Sequence, residues 1–352
     1  MLGALRAGLS GQAGRRGLWL CAALLLANVL LWCVALLVFR GHGLLLGTCL
    51  LAYGFGLRHA VDADHIAAID NVTRKLMQQG QRPAGVGLFF SLGHSSIVFA
   101  LSAAVAAAAG AVSGRFGALQ GWGGLVGTFI SAFFLLGIAL LNLLVLRAVI
   151  ATFRRVRAGG AYSEEDLDLL LARRGFFGRL FRGLFGLIGH SWQMYFVGFL
   201  FGLGFDTATE IGLLGLSATA AGKGLPVWSI MLFPALFAAG MALIDTADSI
   251  LMLGAYGWAF LQPMRKLVYN ITITAVSVLV AGFIGGLEAL GLVQSSCNLT
   301  GWFWDKVALL GGDAVFGLLG FGIAGLFVLA WAVSAWVYRL KRYDEVKVVL
   351  AE

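Results

Sequence analysis

Long apolar stretches broken by short polar ones run the length of the chain. Eight of them fall at about 18–39, 44–69, 85–110, 123–149, 194–219, 227–252, 268–292 and 315–338. Each reaches the roughly 20 residues an α-helix needs to cross the hydrocarbon core of a bilayer. The pattern predicts an all-α, polytopic membrane protein with eight transmembrane helices, forming one domain over 1–352 with a long loop at about 150–190. The first run, about 22 residues, is too long for a signal-peptide core and no cleavage site follows it, so it is expected to stay as a span.

Composition strengthens this picture. The chain is 60% hydrophobic and 12% charged, with 50 Gly against 4 Pro. A water-facing surface needs far more charge, while glycine is frequent where membrane helices pack closely. The net charge of +8 would suit nucleic acid, but its distribution argues otherwise. With the N-terminus inside, 20 Lys and Arg residues fall on inside segments and only Arg40, Arg115, Lys223 and Lys306 outside. That split is the positive-inside signature of eight spans with both termini cytoplasmic, and topology alone accounts for the basic excess. The 150–190 loop carries an acidic patch (Glu164, Glu165, Asp166, Asp168) and a basic, Phe-rich segment, 173–185, that suits either an interfacial helix or a solvated loop. Cys21, Cys33, Cys49 and Cys297 show no Cys-x-x-Cys spacing and are expected to be packing residues.

Against this apolar background the polar exceptions stand out. The second run contains Arg58-His59-Ala60-Val61-Asp62-Ala63-Asp64-His65-Ile66. An ionisable group at the centre of a span costs roughly 2.5–3.5 kcal/mol on insertion scales, so a cluster this dense needs partners. On a continuous helix His59, Asp62 and His65 share one face, within about 120° of arc. Asp64 then lies off that face, where it pairs with Arg58 or orients an imidazole; were the helix unwound near Gly54 and Gly56, Asp64 would become a direct ligand. The third run carries His94 in Phe90-Ser91-Leu92-Gly93-His94-Ser95-Ser96. The fifth carries Asp206 and Glu210, and the sixth Asp245 and Asp248, spaced so that each pair shares a helix face and repels itself when ionised. Six carboxylates thus face one Arg58. Either a cation joins them or some are protonated and bridge helices, and a self-contained ion-pair network is the remaining alternative. Imidazole with carboxylate is donor chemistry for a divalent transition metal. The polar runs two and three and the polar runs five and six are offset by three spans, which reverses orientation and is the pattern of an inverted repeat around a central site.

At these four stretches the sequence resembles the nickel/cobalt transporter permeases, and looks most like the high-affinity nickel permeases that supply hydrogenase or urease. His59, Asp64 and His65 fit the family's His-x4-Asp-His signature. The other matches are 90–96, Leu203-Gly204-Phe205-Asp206-Thr207-Ala208-Thr209-Glu210-Ile211, and Gly240-Met241 through Asp245-Thr246-Ala247-Asp248. Departures are Ser96, where Thr is frequent, and Ser249, where Gly is expected. The resemblance implies uptake of Ni²⁺, and of Co²⁺, across a bacterial cytoplasmic membrane as transported substrate, with no resident cofactor.

The expected metal set is His59, Asp62, Asp64, His65, His94, Asp206, Glu210, Asp245 and Asp248, supported by Arg58. Of these, His59, Asp62 and His65 with His94 are expected to hold the ion, and the other carboxylates to lower its potential along the path. The partners are the ion and the lipid bilayer. No Gly-x4-Gly-Lys-Ser/Thr occurs, so no ATPase is evident and the membrane potential drives uptake. An efflux permease would use the same ligands and differ only in direction of flux. An intramembrane di-iron enzyme needs more histidines than the five present.

Overall fold

The computed structural model describes residues 12–107, 116–158, 188–203, 208–259 and 263–340. Among these residues the regular structure is entirely helical, without a strand. The helices are α1 (Gln12–Val38), α2 (Gly43–His59), α3 (Ala63–Gln78), α4 (Val86–Ala107), α5 (Phe116–Arg157), α6 (Met194–Phe201), α7 (Ala208–Gly222), α8 (Val227–Ile230), α9 (Leu232–Ala259), α10 (Pro263–Cys297), α11 (Trp302–Gly311) and α12 (Asp313–Leu340). Five segments are long and apolar enough to cross a membrane: Arg15–Val38, Val86–Ala107, Thr128–Arg157, Val227–Gly254 and Leu267–Cys297. The bent pair α2–α3 makes a sixth. The apolar stretches within α7 and α12, Gly212–Ala221 and Leu318–Ser334, are shorter.

Side-chain placement fits a lipid solvent. On α1 the large residues Leu25, Leu26, Leu30 and Leu37 are exposed, whereas His59, His65, Asp70, Arg74 and His94 are buried. This inverted distribution satisfies polar groups inside the helix bundle and leaves hydrocarbon side chains for the acyl chains.

The second apolar run departs from the continuous helix expected over 44–69. It passes through Gly54 and Gly56 intact and breaks instead at residues 60–62, where α2 and α3 meet at 52°. Gly320 of α12 lies directly against the Val61 carbonyl, so a Cβ at 320 would strike the break itself. Beyond it, α3 continues to Gln78, enclosed by α4, α9, α10 and α12. The second apolar run was expected to end at about 69, with Arg74 and Lys75 on the inside segment that follows; instead Asp70, Asn71 and Arg74 are buried on α3. Arg74 donates through Nη1 to Thr274 Oγ1 (2.7 Å) and through Nη2 to Asn71 Oδ1 (3.1 Å). Asn142 of α5 donates to that same Asn71 oxygen at 2.5 Å, the helix-bridging role its position allows. The hydroxyls of Tyr256 and Ser277 donate to the two oxygens of Asp70.

Because the polar face of α3 is satisfied by α5, α9 and α10, these bonds fix the half-helix that carries His65. Asp70→Ala would leave Arg74 buried without the carboxylate one turn before it. It also strips the Tyr256 and Ser277 hydroxyls of their acceptor, and is expected to destabilise the protein by about 1–3 kcal/mol for each buried donor left unsatisfied, read as a lowered thermal midpoint in detergent. An unchanged midpoint would mean that the network is not holding α3.

At the far end of α3, Lys75 Nζ donates to the Ile188 carbonyl (3.0 Å) and Gln81 Nε2 to that of Gly189 (2.6 Å). The Phe-rich segment 173–185 and the acidic patch lie outside the described residues.

Candidate metal centre

The break after α2 is what lets two imidazoles six residues apart face one another. His59 ends α2, His65 lies in the first turn of α3, and their ring centroids are 4.6 Å apart. His94, from the middle of α4, completes a triangle at 4.8 Å from His59 and 5.0 Å from His65. One nitrogen from each ring can be chosen so that all three lie within 4.8 Å of one another. All three rings are buried.

Glu210, in the first turn of α7, joins from the opposite side. His94 Nε2 is 2.8 Å from Glu210 Oε1 and 3.0 Å from His59 Nε2, and His59 Nε2 lies 3.9 Å from the same Glu210 oxygen. Two donors each bound about 2.1 Å from one ion sit about 3.0 Å apart at right angles and about 4.2 Å apart when opposite, so the 2.8 and 3.0 Å spacings fit adjacent positions around one ion and the 3.9 Å spacing a wider angle.

His65 is the least accounted-for group. It is 0% exposed, walled by His59, His94 and Phe90, and neither ring nitrogen makes a hydrogen bond. Its nearest polar neighbour is Asp245 of α9, whose Oδ2 lies 3.4 Å from His65 Nδ1. Asp245 Oδ1 is likewise buried without a hydrogen bond. Each such atom costs about 1–3 kcal/mol in desolvation. A packing histidine would have found a partner. Orphaned imidazole nitrogens enclosed by other imidazoles, with a buried carboxylate beside them, are what a cation site requires.

Residues 45–337 match the sequence profile of the NicO family, described as high-affinity nickel-transport protein. The chain belongs to the NicO family. It is 54% identical over 348 residues to the high-affinity nickel transport protein of Cupriavidus necator, covering 99% of each chain. It is 50% identical over 321 residues to the hydrogenase nickel incorporation protein HupN of Bradyrhizobium diazoefficiens, covering 91% of this chain and 83% of that one. The cobalt transport protein NhlF of Rhodococcus rhodochrous is 41% identical over 303 residues, covering 85% and 84%. No solved structure matches the chain. A NicO protein with this many apolar helices is a multi-pass membrane protein whose substrate is a metal ion.

Within this NicO chain the remaining candidate residues take different places. Asp62 was expected on the ligand face beside His59 and His65. The break turns it into the residue that precedes α3, and it receives Arg58 Nη1 at 2.6 Å on one oxygen and faces His59 Nδ1 at 3.1 Å with the other. It therefore sits behind His59, on the side away from His94, where a carboxylate fixes which ring nitrogen is free for metal. The expectation that a continuous helix aligns His59, Asp62 and His65 fails for this reason. Asp64 accepts the His65 backbone N–H at 2.9 Å. Asp248 is partly exposed and one of its oxygens is buried without a hydrogen bond. Asp206 lies outside the described residues.

Two hydroxyls stand around the cluster: Ser91, which had no role in the sequence, and Thr209, which was expected only as a helix-packing hydroxyl. Ser91 Oγ lies 2.6 Å from Asp245 Oδ2 and orients the carboxylate toward His65. Thr209 Oγ1 stands 3.3 Å from His59 Nδ1. Ser91 shares a helix face with His94, at i, i+3, which was the one available signal.

The position of Asp62 yields a specific expectation. Asp62→Asn keeps the shape but weakens the pairing with both Arg58 and His59. It should raise the nickel concentration for half-maximal transport by about 10-fold, as losses behind a metal ligand do, with little change in maximal rate. A complete loss of transport would instead assign Asp62 as a direct ligand.

Proposed function

We propose that this protein takes up Ni²⁺, and Co²⁺ as a second substrate, across a bacterial cytoplasmic membrane. The transport domain is a single unit over 1–352 with eight spans and both termini cytoplasmic. The positive-inside imbalance supports that topology and survives the removal of buried Arg74 from the inside tally. The protein is a permease and not an enzyme. The ion is held by His59, His65 and His94 with Glu210 and Asp245, while Asp64 and Asp248 flank its path and Asp62 with Arg58 positions His59.

The observation that carries this reading is His65, enclosed between two other imidazoles with both of its nitrogens unbonded. A divalent ion gains about 4.6 kcal/mol per 100 mV of inside-negative potential, enough to concentrate a trace metal without ATP. The 41% identity to a cobalt transport protein supports Co²⁺ as the second substrate.

Purified protein in proteoliposomes tests this. ⁶³Ni should accumulate when an inside-negative potential is imposed and not when it is collapsed, and Co²⁺ should compete. Accumulation that ignores the potential, or net loss of nickel from cells expressing the protein, would contradict it.

A further inference from the structure

We infer that spans two and three and spans five and six form an inverted repeat whose two helix crossings are equivalent gates on either side of the metal cluster. The inference rests on reading that cluster as the ion's central station.

The evidence is a set of matched backbone contacts. In the first crossing, between α2 and α9, a Cβ on Gly56 would meet the Phe237 carbonyl, and one on Gly240 would meet the Tyr53 carbonyl and then Leu57 N. In the second, between α4 and α6, a Cβ on Gly198 would meet the Phe90 carbonyl, and one on Gly93 the Tyr195 carbonyl and then Phe199 N. The two sets correspond atom for atom when α2 is laid on α6 and α4 on α9. Tyr53, Gly56 and Leu57 map onto Tyr195, Gly198 and Phe199, each 142 residues on, and Phe90 and Gly93 onto Phe237 and Gly240, each 147 on.

A further contact obeys the same map without entering its construction. His59 packs on Phe237 at 5.5 Å, and its equivalent Phe201 packs on Phe90, the equivalent of Phe237, at 5.4 Å. General sequence similarity is poor because the repeat is conveyed by backbone approach, which asks only for glycine at four points.

Position gives the crossings their role. Spans two and six begin on one side of the membrane and spans three and five on the other, since a short turn joins each consecutive pair (residues 79–85 and 223–226) and one span, Thr128–Arg157, separates three from five. Each crossing lies in the first half of its spans, Gly56 in the bent span α2–α3 and Gly198 near the start of span five, so the two lie toward opposite faces. The imidazole cluster is between them: His59 is three residues past Gly56, and His94 one past Gly93. With both crossings in backbone contact the cluster is closed to both faces. Transport then proceeds by parting one crossing while the other stays shut, as inverted repeats permit.

The second crossing can be locked directly. A Cβ on Gly85 would stand 3.8 Å from Ser191 Cβ, the mean Cβ separation of a disulfide. By the repeat, Gly85 maps to Leu232 and Ser191 to the native Cys49, two residues of one buried cluster. The experiment uses full-length protein lacking Cys21, Cys33 and Cys297, as Leu232→Cys with Cys49 retained, and as Gly85→Cys/Ser191→Cys with Cys49→Ser. Each is oxidised with iodine in proteoliposomes and later reduced.

Both disulfides are expected to form. Each should stop ⁶³Ni transport by at least ~20-fold, the signature of a conformational step made impossible, and reduction should restore it. Equilibrium ⁶³Ni binding to the oxidised, solubilised protein should stay within about twofold, since the ligands are untouched. Transport that continues with either bond closed overturns the gates, and failure of Cys49 to link to position 232 while 85 and 191 link overturns the repeat. Should Gly85→Cys not accumulate, the bond between Cys49 and Leu232→Cys carries the test of gating by itself. Loss of nickel binding by the reduced parent would instead refute the central station.

Discussion

Replacing His65 with alanine is expected to cut cellular nickel accumulation by at least ~100-fold while costing the folded protein much less stability than a buried truncation ordinarily does. Losses behind a metal ligand already cost 10–100-fold, and His65 is argued to be a ligand itself. Two buried ring nitrogens without hydrogen bonds contribute nothing to folding, so their removal relieves a desolvation cost of about 1–3 kcal/mol each and offsets much of the cavity left behind. The combination separates function from structure. A histidine that merely packs would, on truncation, lower the thermal midpoint and leave residual transport in proportion to surviving protein. The measurement is ⁶³Ni accumulation normalised to membrane-inserted protein, alongside thermal unfolding in detergent. Normal accumulation would remove His65 from the site.

Glu210→Gln is the second large effect, expected to lower transport by about 10–100-fold. The substitution keeps the size of the side chain and its reach to His94 Nε2, 2.8 Å away. What disappears is the negative charge that offsets a dication in a buried site, and a 10–100-fold loss corresponds to about 1.4–2.8 kcal/mol of binding. Concentration dependence should show the loss chiefly as weaker affinity, with more nickel recovering part of the rate. Unchanged affinity would place Glu210 among groups that merely hydrogen-bond His94.

Six of the eight expected spans are matched by helices long and apolar enough to cross a membrane, one of them a bent pair, because apolar runs of about 20 residues report a lipid environment directly. The break at 60–62 was not legible in the sequence. Ala60, Val61 and Asp62 carry no glycine or proline to mark it, and it is produced by tertiary contact: Gly320 lying on the Val61 carbonyl and Asp62 held by Arg58 and His59. Arg74 and Asp70 looked like loop residues because charge normally ends a span. Their partners, Thr274, Tyr256 and Ser277, are some 190 to 210 positions away. The histidines and acids were nameable from local spacing, but not who faces whom. That His65 meets Asp245 and His94 meets Glu210 depends on how α9 and α7 pack, and a helix wheel carries no information about a neighbouring helix. The proposed inverted repeat showed in the sequence only as an offset of polar spans; its register rests on the glycine contacts.

The most direct test of the account is nickel K-edge X-ray absorption of purified, Ni²⁺-loaded protein. A nitrogen and oxygen shell near about 2.1 Å is expected, with outer scattering from three imidazoles that falls by one in each of His59→Ala, His65→Ala and His94→Ala. A sulfur shell, or imidazole scattering that none of these substitutions changes, would show that the ion rests elsewhere.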